Sequence, residues 1–177
     1  MKHGPHKDPI NFGFMSLSYI IRDLKKPPAT ILENAGVKQG DNVLDFGCGP
    51  GSFSIAAAAI AGNNGFIYAA DVTDYALKSV QKRAKKKNID NIKTINTSCA
   101  TGIEDSSIDI ILFYNVLHEV ENVSMLIKEF YRVLKDGGKV SAADKHLEKK
   151  EITGAFTGRG LFRLDGENNG LMNFIKV

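Results

Sequence analysis

The stretch Asn42-Val43-Leu44-Asp45-Phe46-Gly47-Cys48-Gly49-Pro50-Gly51-Ser52 decides the fold. Val43, Leu44 and Phe46 form an apolar run of strand length, three glycines follow at two-residue spacing, and an alanine-rich helical segment, Ile55 to Ala61, begins at once. Strand, tight turn and helix in that order open an α/β protein. Glycine is required where a ligand lies against backbone, since a Cβ at Gly47 or Gly49 fills the space and restricts φ. A binding loop and a purely structural turn both satisfy the pattern. A dinucleotide fingerprint wants G-x-G-x-x-G opening a helix, whereas here Ser52 stands three after Gly49 and Gly51 comes one residue early. That spacing weakens a nicotinamide-dependent oxidoreductase of the Rossmann type. It remains the alternative reading, beside a non-catalytic nucleotide-binding module.

Downstream, short apolar strands alternate with helical periods, which implies a parallel sheet with right-handed crossovers. Phe66 to Ala70 reads as a strand ending in Asp71, followed by a helix from Asp74 to Lys87. Asp71 comes twenty residues after Gly51, where an open α/β fold places the acid that accepts hydrogen bonds from a ribose diol. Ile92 to Ser98 is a third strand. Ile108 to Tyr114 is a fourth, its continuous apolar run fitting a central strand buried on both faces. Asn122 suits the N-cap of a helix Val123 to Lys135, which Gly137-Gly138 ends, and Lys139 to Ala143 is a fifth strand ending at Asp144. After a helical stretch from Leu147 to Phe156, Leu161 to Leu164 and Leu171 to Val177 look like a β-hairpin joined by the turn-rich Asp165 to Gly170. Upstream, a polar stretch over residues 1–11 precedes an amphipathic helix, Phe12 to Lys26, stopped by Pro27-Pro28. Its apolar positions Phe14, Leu17, Ile20, Ile21 and Leu24 can pack on the core, or the segment can act as a lid, with His6 and Tyr19 the side chains to watch. A second helix runs from Ala29 to Ala35.

Length and composition narrow the partners. At 177 residues the chain makes one domain, 1–177, with residues 1–28 as its lid or packing segment. A net charge of +3 is too mild to argue for nucleic acid. The run Lys82, Arg83, Lys85, Lys86, Lys87 reads first as a solvated helix C-terminus, because no aromatic residues are interleaved for base stacking. Two cysteines, Cys48 and Cys99, read as reduced thiols in a cytoplasmic protein. No apolar run reaches membrane-spanning length, so neither a membrane nor a nucleic acid is an expected partner.

Glycines in G-x-G-x-G spacing preceded by an acid at the strand end, Asp45, resemble the first motif of the class I S-adenosylmethionine-dependent methyltransferases. Three more segments resemble the small-molecule branch that includes the ubiquinone and menaquinone biosynthesis enzymes. Asp109-Ile110-Ile111-Leu112-Phe113-Tyr114-Asn115-Val116-Leu117-His118-Glu119-Val120 is similar to the family's fourth-strand motif, and Arg132-Val133-Leu134-Lys135-Asp136-Gly137-Gly138 to its following helix end. Ser98-Cys99-Ala100 stands where the family usually has Gly-Asp-Ala. The resemblance implies an α/β fold with a Rossmann-like, doubly wound seven-stranded sheet, mostly parallel, with an antiparallel C-terminal hairpin strand.

It also implies roles. S-adenosylmethionine would be the cofactor: the loop Gly47, Cys48, Gly49, Gly51 would hold its methionine portion, with Asp45 near the ammonium group. Asp71, with Val72 beside it, would take the ribose hydroxyls. Cys99 and Ala100 would face the adenine, a thiol replacing the family's usual carboxylate there. Asn115 would sit near the sulfonium. A sulfonium makes its methyl group electrophilic, so the protein chiefly aligns a small-molecule acceptor in line with the S–CH₃ bond. If that acceptor must lose a proton, His118 is the nominated base, with packing at the start of the next helix as its other reading. Asp144 and His146 can face the same cleft, but two candidate ligands do not make a metal site.

Overall fold

The computed structural model describes Phe12, Gly13, Tyr19 and residues 21–177. The first full helix, α1, spans Pro28–Ala35 and ends at Gly36 in the left-handed conformation. Then follow β1 (Val43–Phe46), α2 (Ser52–Ala61), β2 (Ile67–Asp71), α3 (Asp74–Lys87), β3 (Ile92–Asn96) and β4 (Ile108–Tyr114). After them come α4 (Val123–Val133), β5 (Leu134–Ala143), α5 (Lys149–Thr157), β6 (Phe162–Asn168) and β7 (Leu171–Lys176). All seven strands join one sheet in the order β3-β2-β1-β4-β5-β7-β6. The pairs from β3 through β5 are parallel, whereas β7 runs antiparallel to both β5 and β6. The α/β class, the seven strands and the closing hairpin are thus as expected.

Alternation along β1 splits the core into two layers. Leu44 and Phe46 face a cluster with Leu126, Ile127, Phe130 and Phe156, where α4 and α5 cover the sheet. Phe46, Phe113 and Phe130 meet edge to face there, with centroids 5.2–6.0 Å apart. Val43 faces the opposite layer, packed with Leu32 and Ala35 of α1 and Ala57, Ala58 and Ala61 of α2. The alanines keep α2 narrow and let it lie close on the sheet. Asp45 shares that face and is buried.

Several boundaries differ from the sequence expectation, each for a local reason. Helix α2 begins at Ser52, not Ile55, because Gly51 at φ +86° turns the chain directly into it. Strand β5 begins at Leu134, where a helix was expected to continue to Lys135. Leu134 pairs with Ile108 across an irregularity in the ladder, so tertiary pairing overrides the helical period. The expected six-residue connection in the hairpin is mostly strand. Gly166 sits at a bulge, and the turn itself is Asn169-Gly170, with φ of +50° and +82°. Asn-Gly is the pair that a tight hairpin turn favours.

In the N-terminal segment, Phe12, Gly13, Tyr19 and residues 21–25 are helical. His6, Phe14, Leu17 and Ile20 lie outside the described residues. Ile21 and Leu24, expected to pack on the core, are instead exposed. The side of this helix carrying Tyr19, Arg22 and Asp23 faces the glycine loop: Ser52 Oγ donates to Asp23 Oδ2 at 2.5 Å, and the Arg22 guanidinium lies over the rings of Tyr19 and Phe53 at 4.4 and 4.8 Å.

Candidate active site

Strand order reverses between β1 and β4, and at such a switch point the loops leaving the two strands diverge and open a crevice. The crevice here is lined by Gly47, Gly49, Asp71, Val72, Thr73, Tyr114, Asn115, Val116 and Glu119, and its outer side is closed by Phe12 and Tyr19. A contiguous recess behind Tyr19 adds Asp45, Cys48, Ser52 and Phe53.

The three glycines do different work. All have positive φ, +78°, +51° and +86° at Gly47, Gly49 and Gly51. A Cβ at Gly47 would overlap Val116 Cγ2, and one at Gly51 would come within 2.6 Å of Val80 Cγ2. Those two glycines therefore let the loop pack against the β4 exit and against α3. Only Gly49 faces open space, its nearest neighbour being Tyr19 Cε2 at 3.9 Å. Space for a ligand against bare backbone exists at Gly49, and the close fit at Gly47 is with the protein's own side chain.

Two carboxylates flank this point. Asp71 Oδ2 accepts from Gly49 N at 3.0 Å, while Oδ1 accepts from both the backbone N and the hydroxyl of Thr73 at 2.9 Å. A carboxylate offers about four acceptor positions, so three are used and about one remains toward the crevice. Asp45 is buried against α2, where Ser54 Oγ donates to its Oδ2 at 2.5 Å. Burial pushes its carboxyl up to about 6, with the nearby Asp71 charge adding to the rise and the Ser54 hydrogen bond opposing it.

The other predicted residues divide between the crevice wall and its surroundings. The Cys48 thiol points into a small cluster with Ala69, Leu77 and Val80, and burial raises its pKa well above the ordinary range, leaving it an inert thiol. Cys99 and Ala100 lie in the loop after β3 and do not line the crevice. The Thr97 hydroxyl donates to Ala100 O at 2.6 Å and accepts from Cys99 N at 3.1 Å. Asn115 sits at the crevice wall in the left-handed conformation, φ +56°. Its N–H donates to Ala143 O at 2.7 Å and its Oδ1 accepts from Lys145 N at 3.0 Å, joining the exits of β4 and β5. His118 lies in the short 3₁₀ turn Leu117–Glu119 beside Asp144. Among the described residues no group of three or more His, Cys, Asp or Glu side chains is placed to hold a metal ion.

Sequence reasoning passed over several residues. Arg83, read as part of a solvated basic run, donates from Nη1 to Pro50 O at 2.9 Å and braces the glycine loop from outside. Glu129 anchors the loop after β3: its Oε1 accepts from Thr101 N at 2.8 Å and from the Thr101 hydroxyl at 2.6 Å. Arg132 grips Glu129 on one side and Ile103 O and Asp105 on the other. Burial opposes ionisation of Glu129, but the hydrogen bonds from Arg132 and Thr101 outweigh it and hold the carboxyl at about 2. Arg132 opens the segment likened to the family's helix end, but no motif announces its partners, because they lie in a loop 25–30 positions earlier.

A doubly wound sheet with an acid-flanked glycine crevice at its switch point defines an open α/β protein of the kind that binds ligands at the carboxyl ends of its strands. The family model described as "Methyltransferase domain" matches residues 37–158, and the chain belongs to that family. Over 110 residues it is 29% identical to a demethylmenaquinone methyltransferase of Geobacillus sp. (strain WCH70), a match covering 62% of this chain and 47% of the relative. The chain thus spans about half the length of the curated relatives it matches. Among solved structures, a SAM-dependent methyltransferase from Aquifex aeolicus superposes with a TM-score of 0.74 over 89% of this chain and 96% of that one, at 20% identity. An arsenic(III) S-adenosylmethionine methyltransferase from Chlamydomonas reinhardtii is 28% identical, with a TM-score of 0.56 over 61% of this chain and 40% of the other.

Proposed function

We propose that this chain transfers a methyl group from S-adenosylmethionine to a small-molecule acceptor. The observation that carries the reading is the juxtaposition at Gly49 of bare backbone with two carboxylates of different character, within a chain of the methyltransferase family. The residues fit the cofactor. Asp45, buried with a carboxyl at about 6, is the natural counterion for an ammonium group, which would favour its ionised form. The remaining acceptor position on Asp71 suits a ribose hydroxyl, and Val72 lines the crevice beside it. Gly47 and Gly49 give the methionine portion its floor, with Gly51 and Cys48 shaping the turn from behind. Asn115 lies at the sulfonium end. Cys99 and Ala100 are proposed for the adenine edge, which requires the ligand to extend past Asp71 toward the loop held by Glu129.

Space supplies a condition. The crevice holds about 70 Å³, below the roughly 300 Å³ at which small-molecule pockets usually begin. Phe12 and Tyr19 close it, so residues 1–28 would serve as a lid that shifts when the cofactor binds. Bound there, the cofactor would supply an electrophilic methyl group. The chain's part is to bind and orient two reactants and to exclude water, and alignment of that kind supplies on the order of 7–11 kcal/mol.

The relatives' name contains a quinone, which supports a hydroxyaromatic small molecule as the first candidate acceptor here. No described helix is long and apolar enough to cross a membrane. The family assignment sets the nicotinamide alternative aside. Calorimetric titration with S-adenosylhomocysteine and with NAD decides between them: binding of the former alone, followed by methyl transfer to a hydroxyaromatic panel, is the expected result. Preference for NAD would overturn the proposal.

A further inference from the structure

Asp144 is the residue whose burial calls for a reason. Its side chain is 1% exposed, and its salt-bridge partner among the described residues is His118. The carboxylate accepts from the backbone N–H of His118 at 3.2 Å and of His146 at 3.0 Å, and His118 Nδ1 lies 2.8 and 3.0 Å from its two oxygens. A carboxylate only accepts, so Nδ1 carries the hydrogen in the neutral ring as well as in the charged one. The neutral ring then presents its lone pair at Nε2.

That nitrogen lies beside a residue of the crevice wall. It lies 3.7 Å from Glu119 Oε1, and Glu119 lines the crevice. The His118 side chain is 25% exposed, enough to return a proton to water. On another side the His146 ring sits 4.3 Å away, centroid to centroid. The charged and titratable groups facing His118 among the described residues are therefore Asp144, Glu119 and His146. The turn is held by the links from Asn115 and His118 to the β5 exit, so the ring's direction is set by main chain.

We propose that His118 Nε2 is the general base of the methyl transfer, with Asp144 a positioning residue that fixes its tautomer, and that the acceptor is a weakly acidic hydroxyaromatic compound, methylated at oxygen or at the ring carbon activated by it. The inference rests on the methyl-transfer reading above. In the step, the acceptor's X–H bond breaks and its proton passes to Nε2. The electron pair left on X forms the X–CH₃ bond, and the methyl–sulfur pair returns to sulfur, turning the sulfonium into a neutral thioether. The imidazolium, between Asp144 and Glu119, then loses its proton to solvent.

The test has one arm without turnover. ¹⁵N NMR of the free protein is expected to show His118 as the Nδ1–H tautomer, and Asp144→Asn to disturb it. In the second arm, His118→Gln keeps its affinity for S-adenosylhomocysteine within about twofold while kcat/KM on an un-ionised phenol at pH 7 falls roughly 10²–10⁴-fold. The deficit narrows to within about threefold for a nitrophenol already ionised at that pH. Asp144→Asn lowers kcat/KM on the un-ionised phenol, because the ring loses the acceptor that fixes its tautomer. If Asp144→Asn does not fold, the tautomer of the wild type and the two-phenol comparison in His118→Gln carry the test. An equal deficit on both phenols, no deficit on either, or an Nε2–H tautomer overturns the inference while leaving methyl transfer in place. Failure of the wild type to bind S-adenosylhomocysteine overturns the methyl-transfer reading, and this inference with it.

Discussion

Asp45 shows how a binding residue costs stability while it waits for its ligand. Its carboxyl titrates at about 6 in the folded chain against an ordinary value of 3.8. Between pH 4 and 6 the folded state therefore holds more protons than the unfolded one, and stability falls as pH rises through that window. Above it the penalty is constant, about 3 kcal/mol as an order of magnitude. Asp45→Asn keeps an acceptor for Ser54 and removes the charge. Its Tm is expected to exceed the wild type's by roughly 6–12 °C at pH 7.5, with the gain vanishing near pH 4, while S-adenosylhomocysteine affinity falls at least tenfold. Thermal melts across pH with a parallel titration check both halves. The glycines separate in the same way. Gly47→Ala meets Val116 at a left-handed φ and should lose about 2–4 kcal/mol in urea unfolding. Gly49→Ala, with open space around it, should cost only about 1 kcal/mol of strain but most of the cofactor affinity.

At the scale of elements, the loop after β3 depends on α4. Glu129 and Arg132 are one helical turn apart and together hold Thr101, Ile103 and Asp105, so the helix face sets where the proposed adenine edge lies. Glu129→Gln leaves an acceptor for Thr101 but loses the ion pair with Arg132, and an expected destabilisation of about 1–3 kcal/mol follows. Faster amide exchange confined to residues 97–107 would show the coupling; uniform exchange across the sheet would contradict it. Such a link is not legible in sequence, since Arg132 opens a family-like segment but nothing in that segment names Glu129 or the distant loop as its partners. By contrast β4 was legible end to end, because a strand buried on both faces is apolar at almost every position. The C-terminal hairpin was legible as a hairpin but not in its extent: charged residues at Asp165 and Glu167 suit an outer, exposed strand and were read as loop.

For the whole molecule, the sheet order puts the exits of β1 and β4 side by side, and Phe12 and Tyr19 line the outer side of the crevice between them. Tyr19 lies over Gly49, and Asp23 holds Ser52 at the start of α2. Tyr19→Ala is expected to raise both the association and dissociation rates of S-adenosylhomocysteine several-fold in stopped-flow fluorescence, as removal of a lid side chain should. Unchanged rates with a lowered Tm would mark Tyr19 as packing only. The Arg22 guanidinium between Tyr19 and Phe53 makes the same contact from the other side.

Sequence alone determined the layering and the order of elements, because hydrophobic period and glycine placement are local properties that each segment carries with it. It also marked Asp45, Asp71 and His118, since an acid or a histidine at a strand exit has its position dictated by the sheet. Only the tertiary structure decided which glycine faces a ligand, where Cys48 and Cys99 point, that Arg83 braces the loop, and that Asp144 stands behind His118. Those facts depend on distances between segments 20–70 residues apart, and the packing of helices on the sheet, not the spacing along the chain, sets them.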